Sequence, residues 1–169
     1  MSRLVYEIKS PAFFIYEVAM NLTERINEDL KNALKANDKI RLQTIRSIRA
    51  LILEFEKSGS DKKLNEEEEI KLLSSAAKKR KEALEEYKKA GREDLASVEE
   101  SELKIIMSYL PQQLSTDELK SKIKNLAEQI GAKSKEDFPK LMPLAIKEIK
   151  GKAEGKSVKE AVEKVLGIS

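Results

Sequence analysis

The chain has 169 residues, with 33 Lys plus Arg against 30 Asp plus Glu, for a formal net charge of +3. It has no Cys, no His and no Trp, which excludes disulfides, thiol nucleophiles, imidazole bases and the usual zinc and haem ligands. Aromatics at 5%, six Gly and four Pro describe helices packed by aliphatic side chains rather than a sheet protein, and the chemistry left to Asp, Glu, Lys, Tyr and Ser leans toward binding over catalysis.

Residues 1–19 differ in composition from the rest. They carry two of the four Phe and two of the four Tyr. Glu7, Lys9, Pro11 and Glu17 interrupt any secretory pattern. The expectation is a mobile leader, or a mis-assigned start with Met20 as the first residue. No apolar run approaches the ~18 residues of a membrane span, so no membrane partner is expected. The lack of Cys suits a reducing compartment, and the cytoplasm is the expected location.

Asn21-Leu22-Thr23-Glu24 is a capping box. It opens a first helix over about 22–36, with Leu22, Ile26, Leu30, Ala33 and Leu34 at helical spacing. Asn37-Asp38 breaks it, and Asp38 can cap a second helix over about 39–58. Ile40, Ile45, Ile48, Leu51, Ile52 and Phe55 form the stripe of that helix, and Gly59 is its expected stop. A third helix runs over about 66–90. Asn65 caps it, Glu66 to Glu69 crowd its first turn, and Lys88 and Lys89 lie in its last, as the helix dipole favours. Gly91 separates it from a fourth, over about 93–110, which stops before Pro111.

Ser115 and Glu118 form a second capping box and open a fifth helix that ends at Gly131. A sixth follows Ser134. Pro139 and Pro143 lie within it, so a kink or a delayed start is expected. After the loop 151–155, Ser157 is the expected cap of a seventh helix with the stripe Val158, Val162, Val165 and Leu166. The expected fold is all-α: an N-terminal four-helix domain over 20–111, then a small three-helix C-terminal domain over 112–169. Residues 20–111 hold 19 basic and 19 acidic residues, whereas 112–169 hold 12 and 9. The excess positive charge is thus all in the C-terminal module.

Two charges fall mid-stripe, Arg80 on the third helix and Glu102 on the fourth. Folding back at Gly91 sets them opposite each other, so a buried ion pair that fixes helix register is expected. A carboxylate with an environment-tuned pKa is the catalytic alternative. Arg41, Arg46 and Arg49 line one flank of the second helix. They suit either pairing with glutamates of the third helix or contact with phosphate. The stretch from Gly151 to Ser157 superficially resembles a nucleotide phosphate loop. It has three residues between its glycines where that motif needs four, and a helix where it needs a strand. A milder reading remains. Lys150, Lys152 and Lys156, with the free N–H groups of the seventh helix, can hold a backbone phosphate. Aromatics for base stacking are lacking there. No carboxylate spacing argues for a metal, and no cofactor is expected.

Three segments carry a resemblance: LQTIRSIRALILEFE, then KKRKEALEEYKKAGREDLASVEESELKIIMSYLPQQLS, then GAKSKEDFPKLMPLAIKEIKGKAEGKSVKEAV. Their most specific pieces are Lys78-Lys79-Arg80, Ala90-Gly91-Arg92-Glu93-Asp94-Leu95 and Tyr109-Leu110-Pro111-Gln112-Gln113-Leu114. In this order, over residues 20–169, they resemble the YqeY family. That family is similar to the C-terminal region of GatB, the B subunit of the glutamine-dependent tRNA amidotransferase, whose tail helps to hold tRNA. The resemblance implies an all-helical fold with a larger N-terminal and a small three-helix C-terminal domain. It also implies a non-catalytic accessory protein that binds tRNA, or one associated with an amidotransferase or tRNA synthetase complex. The RNA-binding candidates are Lys147, Lys150, Lys152 and Lys156, carried over by position in the tail-like module. Arg41, Arg46 and Arg49 join them from the reading above. DNA is not an expected partner. Two alternatives stand: a protein-interaction adaptor without RNA, and glutamine-dependent amide transfer, the latter implied by the resemblance alone.

Overall fold

The computed structural model describes residues 20–58 and 64–168. Among these residues the chain forms seven α-helices and no strand. They are α1 (Leu22–Lys35), α2 (Lys39–Lys57), α3 (Glu66–Lys89), α4 (Glu93–Met107), α5 (Thr116–Ile130), α6 (Phe138–Glu148) and α7 (Gly155–Val165). The protein is all-α, as its composition and periodicity require. Residues 1–19 and Gly59 lie outside the described residues.

The chain divides into two compact units between Leu64 and Asn65. In the first, α1 packs on α2. The Asn21–Glu24 capping box starts α1. At its end the Asp38 N–H donates to the Ala33 carbonyl across Asn37, whose φ is +51°. That is the left-handed cap which asparagine tolerates better than most residues. Asp38 then turns outward and accepts from the Arg41 N–H at 3.0 Å, capping α2. Ile26, Ala33, Ile45, Ile48 and Ile52 are buried. Leu34 and Ile40, expected in the stripe, are 53% and 39% exposed. At ~100° per residue, each lies about 100° from the centre of the arc that its helix buries. Thr44 is fully buried and satisfies its hydroxyl by donating to the Ile40 carbonyl at 2.8 Å.

In the second unit α3 and α4 fold back on each other at Gly91. Leu73, Ala77, Ala96 and Ile106 are buried along them. Helix α4 ends at Met107, three residues earlier than expected. Ser108 turns its hydroxyl back to the Ile105 carbonyl, and Tyr109 and Leu110 close a tighter turn before Pro111. Helices α5, α6 and α7 surround a core that includes Leu119, Ile123, Leu141, Ile149, Val158 and Val162. The start of α6 is delayed. Lys135–Asp137 form a 3₁₀ turn, held by the Asp137 carboxylate accepting from the Lys133 and Ser134 N–H groups. Pro139 then falls in the first helical turn, where its missing N–H costs nothing. Only Pro143 removes an internal hydrogen bond.

The structural division precedes the Pro111–Leu114 boundary expected from the sequence. That connector is tied into the second unit: the Leu114 N–H donates to the Lys152 carbonyl at 2.8 Å.

Candidate nucleic-acid interface

The loop between α6 and α7 is fastened to α3 and to the α4–α5 connector. Gly151 has φ +71°, and a Cβ there would stand 2.7 Å from Ile70 Cγ2 and 3.3 Å from Pro111 Cδ. Backbone conformation and close approach therefore both require glycine. The Gln113 amide donates to the Pro111 carbonyl at 2.8 Å and to the Gly151 carbonyl at 2.7 Å. Two ion pairs flank the junction. Lys150 Nζ lies 2.9 Å from Glu67 Oε2, and Lys81 Nζ lies 2.6 Å from Glu154 Oε1. The hydrogen bond from Lys150 holds the Glu67 carboxyl below its usual range. The hydrogen bond to Glu154 raises the Lys81 ammonium. Sequence reasoning misses Gln113, Glu67, Lys81 and Glu154 as partners of this loop, because no periodicity links residues so far apart in the chain.

The four lysines thus differ. Lys147 is exposed in the last turn of α6. Lys150 is engaged by Glu67. Lys152 is half-buried, with its backbone bonded to Leu114 and Ile149. Lys156 is exposed in the first turn of α7. Ser157 does not cap α7, which begins two residues earlier. Glu154 occupies the cap position, but its carboxylate goes to Lys81, so no side chain caps the helix. The first N–H groups of α7 therefore remain open beside Lys156.

On α2, Arg41 Nη2 is 3.2 Å from Asp29 Oδ2. The Arg46 and Arg49 side chains are exposed and make no ion pair or hydrogen bond among the described residues.

Arg80 Nε lies 3.0 Å from Glu102 Oε2, and Arg80 Nη1 lies 3.2 Å from Glu99 Oε2. One guanidinium thus serves two carboxylates. Glu102 is 3% exposed. Its Oε2 is close to Arg80 yet lacks an aligned hydrogen bond. Arg80 itself keeps a third of its side chain exposed, so the pair is less enclosed than expected. Glu99 is not evident from the stripe; it sits one turn before Glu102 and faces the same guanidinium. Burial pushes the Glu102 carboxyl above its usual range, Arg80 opposes this, and Glu99 adds to it. A raised pKa in the folded state favours the protonated form. This contribution is fully present below the ordinary carboxylate range and is lost as pH rises through the raised value. Unfolding curves of wild type and Glu102→Gln, measured from pH 7 to pH 4, should therefore converge as pH falls. A gap that is constant or widens toward low pH would contradict this.

A family profile described as "Yqey-like protein" matches residues 23–166. Three similar proteins share the name "Altered inheritance of mitochondria protein 41, mitochondrial". The one from Vanderwaltozyma polyspora is 36% identical over 54% of this chain and 53% of its own length. That from Lachancea thermotolerans is 36% identical over 62% and 57%, and that from Pyrenophora tritici-repentis 30% identical over 85% and 80%. The chain spans about half the length of the first two relatives. Their names overturn the expected cytoplasmic location, which rests only on the absence of Cys, a feature as compatible with other compartments. No helix among the described residues is long and apolar enough to cross a membrane. With the match covering nearly all of its helical body, the chain belongs to the YqeY family.

Proposed function

We infer that this protein is a non-catalytic accessory protein that binds tRNA through backbone phosphates, with residues 112–169 as a contact module. The observation that carries the reading is the uncapped start of α7 beside Lys156. Open N–H groups at a helix N-terminus favour an anion, and lysines add point charges without base preference. The net positive charge of this module supports it. The fastened loop also supports it, because a fixed cluster loses less entropy on binding than a mobile one. An amidotransferase or tRNA synthetase complex is the assembly in which such a protein would act, and the names of the relatives support a place in mitochondria. Lys147, Lys152 and Lys156 are the contact residues; Lys150, held by Glu67, belongs to the junction.

The test is a tRNA titration of wild type and a Lys147→Gln, Lys152→Gln, Lys156→Gln variant at several salt concentrations. For every phosphate the variant no longer neutralises, the salt slope should fall by about one unit. Equal slopes for both proteins would remove the RNA role from this loop and favour the adaptor reading.

A further inference from the structure

Helix α2 carries a second cationic surface, in the other unit. At ~100° per residue, Lys39, Arg46, Arg49, Leu53 and Lys57 fall within an arc of about 80°. All five are exposed. The four cations make no ion pair or hydrogen bond among the described residues, in contrast to Arg41, which Asp29 engages. Of the two glutamates of α2, Glu54 lies well outside the arc and Glu56 lies about 20° beyond its Arg49 edge. The helix spans about 28 Å along its axis at ~1.5 Å per residue. Its cations are thus spread over several nucleotides' worth of backbone rather than gathered around one small anion.

We propose that this face of α2 is a nucleic-acid backbone surface, with Arg46 and Arg49 as its central phosphate contacts; this rests on the reading that the partner is RNA. Charge complementarity identifies the occupant. Unpaired guanidiniums match phosphate oxygens in a bidentate fork, and phosphate contacts demand no particular base. A lipid surface fits less well. An interfacial helix commits its apolar face to the bilayer. Helix α2 buries Ile45, Ile48 and Ile52 within the protein, leaving only Leu53 in the cationic arc substantially exposed.

The experiment titrates a fluorescent tRNA transcript with wild type, with Arg46→Gln plus Arg49→Gln, and with the triple lysine variant, at several salt concentrations. Vesicles of phosphatidylcholine with phosphatidylserine serve as a second probe. Because both arginines are exposed, the double variant should keep the wild-type melting temperature. The expected result is about a tenfold loss of tRNA affinity at low salt and a slope lower by up to roughly two units. An unchanged slope in the arginine variant, with a reduced one in the lysine variant, overturns the α2 surface and leaves the loop reading standing. The reverse outcome supports the α2 surface while removing the loop. No binding of tRNA by wild type overturns both. Arginine-dependent binding to vesicles but not to tRNA overturns the nucleic-acid assignment in favour of a membrane.

Discussion

Replacing Arg80 by Met should lower unfolding free energy by about 3 kcal/mol, whereas Glu102→Gln should change it by less than ~1 kcal/mol. The asymmetry follows from who else is present. Arg80 is the cation for both Glu99 and Glu102, whose side chains are 14% and 4% exposed. Removing it strands two largely buried carboxylates near one another, and the loss is limited mainly by protonation of Glu102. Glu102→Gln leaves Arg80 paired with Glu99 and a third of its side chain exposed, so no charge is stranded. The amide keeps the carboxylate's shape without its desolvation penalty. Urea unfolding of the two variants at pH 7 measures both numbers. Equal losses would mean that the Glu102 charge itself stabilises the fold.

Gly151→Ala should cost about 2–4 kcal/mol, from overpacking together with a left-handed backbone. The new Cβ would stand 2.7 Å from Ile70 Cγ2 and 3.3 Å from the Pro111 ring, and neither the helix α3 side nor the proline yields cheaply. Gly131→Ala is the control. Gly131 has a nearly identical φ of +70°, but a Cβ there meets nothing within 4 Å. It should cost only the backbone portion, about 1 kcal/mol. The difference between the two variants isolates the close approach at the junction. If both lose the same amount, the loop is not packed against Ile70 as described. Displacement of the loop would also stretch the Gln113 bonds and the Lys150–Glu67 pair, so the Gly151 variant should bind tRNA more weakly than the Gly131 variant.

Local rules make most of the helix boundaries legible. The capping boxes at Asn21 and Ser115, the caps at Asp38 and Asn65, and the breaks at Gly91 and Gly131 are written in single residues and their near neighbours. Mid-stripe charges point to Arg80 and Glu102, since a helical arc leaves only one direction for each to face. The second carboxylate, Glu99, is hidden because its position reads as the edge of the stripe. The α7 cap departs from expectation for a chemical reason. Ser157 has the better capping side chain, but the backbone turns helical two residues earlier, at Gly155, and Glu154 is drawn away by Lys81. The junction at Gly151 is not legible at all. Its partners lie 38 residues away at Gln113 and much farther at Ile70, and only tertiary packing brings them together. For the same reason the lysines that read as one cluster in sequence separate into Lys150, paired with Glu67, half-buried Lys152, and Lys147 and Lys156, which remain exposed.

Whether the wild-type protein holds RNA by its phosphates is tested most directly by equilibrium binding to a tRNA transcript between about 50 and about 200 mM salt. The prediction is measurable binding at the lowest salt and a logarithm of affinity that falls linearly with the logarithm of salt concentration, equally for unrelated tRNA sequences. No binding at the lowest salt, or an affinity indifferent to salt, would contradict it.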